Sequence, residues 1–248
     1  KSDPLGPQNK LFFMTGPVNG TMIPAASRST ACAKSPLTGS LFHSIFGGYW
    51  GPELKFAGFD GVIVRGKASQ PVYLWLHDGE VELRDASHLW GKKTSQVEDL
   101  IRAELGDAKV EIAQCGPAGE RLVRTACIIN MSNRANGRTG MGAVMGAKNL
   151  KAVAVRGRGK RLPLFDQKKV IELAKWGASQ VQANADMKGL RQDGTAGVVS
   201  TQQANGTLPT RNYNEGQFEH FIDIMGETMT ETILKERDTC FACATHCK

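Results

Sequence analysis

Residues 134–156, RANGRTGMGAVMGAKNLKAVAVR, are the stretch from which the rest of the chain is interpreted. Glycines, arginines and lysines fill a turn, and a strand predicted at residues 151–156 follows it. Glycine lets backbone N–H groups gather around an anion, and the planar arginine fork matches phosphate oxygens. The stretch therefore indicates an anion-binding turn, although a solvated basic loop between core strands is an equal alternative at this point.

The chain contains this design twice. Residues 11–17 (LFFMTGP) and 111–117 (EIAQCGP) are apolar runs that end in Gly-Pro, and each precedes a basic, Gly-rich segment. Each segment then leads to a β-branched strand that ends in Arg-Gly, at residues 61–68 (GVIVRGKA) and 151–159 (KAVAVRGRG). Two copies predict a duplicated supersecondary unit. Its two similar loops could hold a ligand with pseudo-symmetric anionic arms.

Composition limits the classes of function. The chain has 248 residues, is 41% hydrophobic and carries a net charge of +7, with its basic residues in short groups beside glycines. This pattern favours small anionic ligands over nucleic acid. We find no apolar run long enough for a membrane helix and no signal peptide, and six cysteines are too few for a secreted disulfide framework. We therefore expect a cytoplasmic protein. The residues at the two termini of the sequence suggest that it is a fragment of a longer chain.

Secondary-structure signals favour an α+β fold with largely antiparallel strands in residues 1–163. Strands are predicted at residues 10–15, 28–33, 110–115 and 122–130. Residues 72–85 predict a hairpin around Asp78-Gly79, with His77 as an exposed polar residue and not a ligand. Ser95 and Glu98 predict a capping box that opens a helix. Residues 43–55, between the strand predicted at residues 28–33 and the hairpin, combine glycines with aromatic residues. The aromatic side chains either cover a close backbone approach or form the wall of a flat cofactor site.

Composition changes after residue 163. Asp166 is a predicted N-cap, and Val170, Ile171, Ala174, Ala178 and Val181 recur at helical spacing. Residues 189–209 predict a loop or a broken helix, and helical pattern resumes at residues 229–235. We therefore predict a β-rich domain at residues 1–163 and the start of a mainly α-helical domain at residues 164–248.

Residues 240–247, CFACATHC, carry the most specific chemical signal. Two thiols three positions apart and a third four positions later can bind one metal centre, as zinc sites and iron–sulfur clusters do. Zinc sites typically close with a second paired motif, which this stretch lacks, and structural thiols are the other alternative. We favour a 4Fe–4S cluster on Cys240, Cys243 and Cys247, with its last ligand beyond residue 248. The remaining cysteines are interpreted as small buried side chains on strands.

Several long motifs of the chain resemble the tungsten- or molybdenum-dependent aldehyde:ferredoxin oxidoreductase family. They are residues 34–39 (KSPLTG), 47–58 (GGYWGPELKFAG), 84–92 (RDASHLWGK), 116–120 (GPAGE), 142–155 (GAVMGAKNLKAVAV) and the cysteine triad. The resemblance covers essentially the whole chain. It implies an amino-terminal domain in which two related β-sheets form the base for a bis-pterin cofactor, followed by the start of the helical domains that cover it.

The resemblance also implies roles for single residues. Arg28 would lie between a pterin and the cluster, and Gly47, Arg134 and Ala135 would line the pterins. Backbone carbonyls of Ile45 and Ala135 would bind a magnesium ion that bridges the pterin phosphates. The family commonly has Asn where this chain has Ile45, so a carbonyl ligand survives and a side-chain hydrogen bond to pterin does not. The catalytic residues that touch substrate are unknown and would follow residue 248.

The activity implied by the resemblance is oxidation of a small aldehyde to a carboxylic acid at a bis-pterin tungsten (or molybdenum) centre. Electrons would leave through the 4Fe–4S cluster to ferredoxin or another electron-transfer subunit. Two alternatives remain open: the tungsten subunit of a complex that reduces aromatic acyl-CoA thioesters, and an iron–sulfur electron-transfer module without its own chemistry. We expect no nucleic-acid or membrane partner, leave a homodimer open, and expect the fragment to be inactive without the missing domains.

Overall fold

A computed structural model describes residues 2–158 and 162–247 of the chain. By internal contacts the chain divides into two compact units, the first comprising Lys1–Thr21 with Ala26–Phe165 and the second Met22–Ala25 with Asp166–Lys248. The strands, all in the first unit, are β1 (Leu11–Thr15), β2 (Ser29–Lys34), β3 (Leu41–Phe46), β4 (Gly61–Val64), β5 (Val72–His77), β6 (Glu80–Asp85), β7 (Glu111–Cys115), β8 (Ile128–Asn130), β9 (Arg134–Asn136) and β10 (Leu150–Arg156). Its helices are α1 (Trp50–Phe56), α2 (Thr94–Leu105), α3 (Pro117–Glu120) and α4 (Met141–Ala147), with a 3-10 turn at Ser87–Leu89.

The two sheets of the first unit repeat one topology. The smaller sheet has the order β3-β2-β1-β4, and the larger has β6-β5-β10-β7-β8-β9. Every neighbouring pair is antiparallel except β5 with β10. The order β9-β8-β7-β10 matches β3-β2-β1-β4, and α1 and α4 each precede the last strand of their repeat. The predicted α+β fold with duplicated, largely antiparallel sheets is therefore confirmed.

The predicted hairpin is confirmed as β5 and β6, which extend the second repeat. Asp78 and Gly79 both have positive φ, 48° and 93°, as a tight two-residue hairpin turn requires. The expectation that His77 is exposed is wrong, because only 22% of its side chain is exposed. Its ring stacks on Trp75 with centroids 4.9 Å apart.

The main core combines residues of both repeats. Phe13 of β1, Trp50 of α1 and Val153 of β10 belong to one buried cluster, and the Trp50 Nε1–H donates to the Val153 carbonyl at 2.9 Å. A second cluster, which includes Trp75 and Ile101, packs α2 against the larger sheet. A buried side chain of this size contributes roughly 1.5–3 kcal/mol. Trp50 is thus a core residue, so the interpretation of its segment as a cofactor wall is wrong for this side chain.

Two local predictions are wrong in detail. Helix α2 begins at Thr94, and the Gln96 Oε1 accepts the Lys93 backbone N–H at 3.1 Å, so Ser95 and Glu98 do not form the capping box. Glu98 is buried and accepts the Ser132 backbone N–H at 2.9 Å. The strand predicted at residues 122–130 shortens to β8, because hydrogen-bonded turns occupy the residues before it.

The second unit is helical in its described residues. It contains α5 (Gln167–Ala183), α6 (Ala185–Asp193), α7 (Val198–Ala204), α8 (Phe221–Ile224) and α9 (Gly226–Thr232), with a 3-10 turn at Gly194–Gly197. The Asp166 side chain accepts the Lys169 N–H at 3.0 Å, which confirms the predicted N-cap. Of the predicted apolar stripe only Ala174 is buried, and Ile171 is 41% exposed. Within the described residues, none of the helices is long and apolar enough to cross a membrane.

Candidate functional site

Three of the four glycines in residues 134–146 allow another backbone segment to approach closely, because a side chain there would collide with it. A Cβ on Gly146 would lie 2.0 Å from the Gly119 carbonyl oxygen, and one on Gly142 would lie 2.2 Å from the Cys127 carbonyl oxygen. A Cβ on Gly140 would meet another backbone carbonyl at 2.0 Å. Helix α4 therefore lies against the neighbouring backbone, and only Gly137 has open space, with its nearest contact at 3.9 Å.

The basic residues that follow these glycines also have internal partners. The Lys148 Nζ donates to the Gly66 carbonyl at 2.9 Å, and burial lowers the pKa of this lysine. Lys151 is fully buried and paired with the Glu120 carboxylate. Arg156 lies between two carboxylates at 3.0 and 3.1 Å. The prediction that these basic groups face a small anionic ligand is therefore wrong for all three.

The edge strands β3 and β9 meet, and we call their contact the seam. The Asn136 Nδ2 of β9 donates to the Ser44 carbonyl of β3 at 2.5 Å, and the Arg138 backbone N–H reaches the Ser44 hydroxyl at 3.5 Å. Each strand lies at the end of its own sheet. The seam is therefore the line along which the two repeats approach through matching strands.

Strand register makes Ile45 and Ala135 equivalent positions. Through the central strand of each repeat, Ile45 aligns with Met14 and Ala135 aligns with Gln114. Met14 and Gln114 each lie two residues before the repeated Gly-Pro. Both Ile45 and Ala135 are exposed, Ile45 by 51%. The structure thus brings two matching, accessible positions together at the seam.

Gly47 and Arg134 lie at the ends of the two seam strands, Gly47 directly after β3 and Arg134 as the first residue of β9. Gly47 is buried directly after β3, and Gly48 adopts φ 103°. A Cβ on Gly48 would meet the Asn130 Oδ1 at 2.8 Å and the Arg134 Cγ at 3.4 Å. Arg134 is 4% exposed, and its Nη1 donates to the Asn133 Oδ1 at 3.3 Å. Loop and arginine come from different repeats and lie in contact.

Arg28 lies at the same end of the smaller sheet. It precedes Ser29, which pairs with Phe46, and Gly47 follows Phe46 directly. The Arg28 carbonyl accepts the Asn19 Nδ2–H at 2.9 Å, and the residue itself is exposed. The structure therefore gathers Ile45, Gly47, Arg134 and Ala135 around the seam and places Arg28 at the adjoining end of β2.

Asn130 is a residue of this region that the sequence did not reveal. It ends β8, is 0% exposed, and within the described residues neither its Oδ1 nor its Nδ2 has a hydrogen-bond partner. An unsatisfied buried polar group costs about 1–3 kcal/mol, so such groups commonly meet water or a ligand. Together with Arg134, which lies beside the same glycine, Gly48, this amide suits a hydrogen-bonding, anionic group. Nothing in the sequence distinguishes Asn130 from any asparagine at the end of a strand.

The three candidate cluster cysteines lie in the second unit. The Cys243 backbone N–H donates to the Cys240 carbonyl at 3.1 Å, and Ala242 and His246 both have φ 50°. Burial raises the pKa of the Cys243 thiol, but hydrogen bonds from the Thr245 backbone and hydroxyl and from further backbone N–H groups outweigh it. The net pKa is lowered from the usual 9.0. The loop therefore favours the thiolate, which is the form that binds metals.

The cysteines of the β-rich unit differ from this loop. Burial raises the pKa of the Cys115 thiol to about 12, as expected for an inert core cysteine.

Comparison with known proteins identifies the family. The family model described as "Aldehyde ferredoxin oxidoreductase, N-terminal domain" matches residues 1–157, and the model of domains 2 and 3 of the same family matches residues 172–248. The chain belongs to the aldehyde ferredoxin oxidoreductase family. Membership of this family agrees with the two related sheets, since the family model of the N-terminal domain covers both repeats.

Curated relatives of this family cover the whole chain. Tungsten-containing aldehyde ferredoxin oxidoreductases of Thermococcus kodakarensis and Pyrococcus abyssi are each 46% identical over 248 residues, which is 100% of this chain and 41% of each relative. A WOR-like subunit of an aliphatic sulfonate oxidoreductase of Pyrococcus furiosus is 37% identical over 87% of this chain and 36% of its own length. The chain therefore spans about two-fifths of the length of the curated relatives it matches.

A solved structure that is similar to this chain belongs to an enzyme with a different name. The active-site complex BamBC of benzoyl coenzyme A reductase, in complex with 1,5-dienoyl-CoA, matches 99% of this chain and 39% of its own chain. The TM-score is 0.82 and the sequence identity 32%. The fold of this chain is thus similar to that of a protein whose structure was solved in complex with 1,5-dienoyl-CoA.

Proposed function

We propose that this chain is the cofactor base of a tungsten (or molybdenum) enzyme that oxidises a small aldehyde to a carboxylic acid. The seam carries the proposal: two repeats present the equivalent, exposed positions Ile45 and Ala135 side by side. A cofactor with two similar halves needs two similar contacts, and a duplicated fold supplies them. The tungsten-containing relatives support the same conclusion.

Each candidate residue has a distinct task in this proposal. The Ile45 and Ala135 carbonyls would hold a magnesium ion, which would neutralise phosphate charge of the cofactor, since carbonyl oxygens are ligands that suit this cation. Arg134 would donate to pterin or phosphate oxygens, because a guanidinium stays charged when it is buried. Gly47 would let the cofactor approach the backbone closely. Arg28, exposed at the end of β2, would contact a pterin and the edge of the cluster.

The cysteine loop would hold an electron carrier. Cys240, Cys243 and Cys247 would bind a 4Fe–4S cluster, with a fourth thiolate from the rest of the protein. When bound, the pterin metal centre would supply the two-electron oxidation, and the cluster held by these cysteines would supply one-electron chemistry towards ferredoxin or another electron-transfer subunit. The thiolate form of Cys243, favoured by its backbone N–H neighbours, is the contribution of the chain to this step.

The experiment uses the full-length protein purified without oxygen. Tungsten, iron and pterin are quantified, and aldehyde oxidation is measured with ferredoxin, for wild type, Arg134→Ala, Arg28→Ala and the exposed control Arg65→Ala. A charge-assisted hydrogen bond contributes roughly 1.5–3 kcal/mol, so Arg134→Ala should weaken cofactor retention by about one to two powers of ten. Arg28→Ala should also slow electron transfer to the cluster. Full metal content and normal turnover in both variants would refute the proposed base.

A second candidate activity rests on the solved reductase complex at 32% identity. The full-length protein would then reduce an aromatic acyl-CoA thioester and fail to oxidise aldehydes. Both substrates are therefore tested side by side. Iron without tungsten or pterin would instead indicate an electron-transfer module.

A further inference from the structure

One face of the hairpin β5–β6 groups three side chains that the proposed function does not use. His77 pairs with Glu80 across the hairpin, and Trp75 pairs with Glu82. Because side chains alternate along a strand, all four project from the same face, next to the tight turn. One donor atom each from His77, Glu80 and Glu82 lies within 4.8 Å of the other two.

The two distances from the His77 nitrogen suit one small metal ion. The His77 Nε2 lies 2.8 Å from the Glu82 Oε1 and 3.9 Å from the Glu80 Oε2. An ion with bonds of about 2.0–2.2 Å can join ligand atoms up to about 4 Å apart. The Glu80 side chain is 74% exposed and can adjust, whereas those of His77 and Glu82 are less exposed.

Neighbouring side chains already orient two of the three ligands. The Trp75 ring stacks on the His77 imidazole at an interplanar angle of 24°. The Arg84 Nη2 donates to the Glu82 Oε2 at 2.8 Å, which leaves the Oε1 directed at His77. Such supporting contacts fix the orientation of metal ligands and raise affinity. The hydrogen bond between His77 and Glu82 involves one carboxylate, and Glu80 brings a second carboxylate to 3.9 Å from the same nitrogen.

We propose that His77, Glu80 and Glu82 form a binding site for a divalent transition metal, with Zn²⁺ as the preferred ion. An imidazole nitrogen beside carboxylate oxygens suits Zn²⁺, whereas Mg²⁺ and Ca²⁺ favour sites built from oxygen alone. The bound ion cross-links the two strands of the hairpin beside its turn. Water completes the coordination, since these three residues leave at least one position open.

The test measures zinc binding by the full-length protein after treatment with a chelator. Zn²⁺ is titrated in competition with a fluorescent zinc indicator, for wild type, Glu80→Gln, His77→Gln and Asp99→Asn. Asp99 is an exposed carboxylate of α2 and controls for loss of negative charge alone. Any zinc taken up by the cysteine triad is common to all four proteins, so the differences report on the hairpin.

Wild type and Asp99→Asn should bind one more zinc ion than His77→Gln, and millimolar Mg²⁺ should not displace it. Glu80→Gln should weaken this binding by more than the roughly 10- to 100-fold effect of losing a supporting residue. Glu80 has an exposed side chain, so this variant keeps its fold and gives a result even if His77→Gln is unstable. Equal stoichiometry and affinity in wild type and Glu80→Gln would overturn the proposal. So would a wild-type protein that takes up no zinc at micromolar concentrations.

Discussion

Gly146→Ala separates two opposing effects of a glycine inside a helix. Alanine is favoured over glycine in a helix interior by about 1 kcal/mol, so propensity alone predicts stabilisation. Packing predicts the opposite, because the new Cβ would lie 2.0 Å from the Gly119 carbonyl oxygen and 2.6 Å from its carbon. Both neighbours are backbone atoms and cannot swing away as a flexible side chain would.

The structure indicates which effect is larger. An ordinary contact begins at 3.4 Å, so α4 must move away from α3 by more than an ångström. Overpacking of a well-packed core costs roughly 1–3 kcal/mol and occasionally more. With two backbone contacts we expect about 3 kcal/mol or more of strain, and a net destabilisation of about 2 kcal/mol after the gain in propensity. For a unit of this size that corresponds to a fall in Tm of roughly 4–8 °C.

The assay is thermal unfolding of the full-length protein, with limited proteolysis as a second readout. Gly189→Ala in α6 is the matched control, because it is also helical and has nothing within 4 Å of the added Cβ. It should keep or slightly raise the Tm. Gly137→Ala, in the same stretch as Gly146 but with open space, should have little effect on stability. A Gly146→Ala protein as stable as the Gly189→Ala protein would refute the packing argument.

Three further predictions concern buried charge and the cluster. Lys151→Met should destabilise the protein by about 3–5 kcal/mol in denaturant titrations, because it leaves Glu120 buried without its partner, and adding Glu120→Leu should recover most of the loss. Burial raises the pKa of Glu111 to about 7 from 4.5, so folding stability should fall by about 3 kcal/mol as the pH rises through this window. Glu111→Gln should abolish that pH dependence, and an unchanged stability-versus-pH curve would contradict the assignment. Cys243→Ser should remove the broad visible absorption of the cluster, whereas unchanged iron and sulfide content would argue against the triad as its ligands.

Much of the first unit could be predicted because its signals are local. The repeated Gly-Pro and Arg-Gly pairs mark the start and end of each repeat, and Asp78-Gly79 specifies the hairpin turn. Helix α4 could not be predicted in this way. Its glycines disfavour a helix on their own, and the helix is held by close approach to the backbone of Gly119, which is distant in sequence.

The candidate site was also harder to predict from the sequence, because it too depends on contacts between residues that are distant in sequence. Lys151 suggests a ligand-binding cation, and only tertiary structure places Glu120 beside it. The equivalence of Ile45 and Ala135 depends on strand register, which neither residue type specifies. The spacing of the cysteine triad, in contrast, lies within one short loop, so its candidate ligands could be named from the sequence while their role remains a prediction.

The position of β10 has a consequence for synthesis of the protein on the ribosome. It is the last strand of the first unit to be made, yet it lies in the middle of its sheet, between β5 and β7. Until residue 156 has left the ribosome, β5 and β7 each present an unpaired edge that other nascent chains can bind. The larger sheet therefore closes in one late step, and chains that end before β10 should aggregate rather than fold.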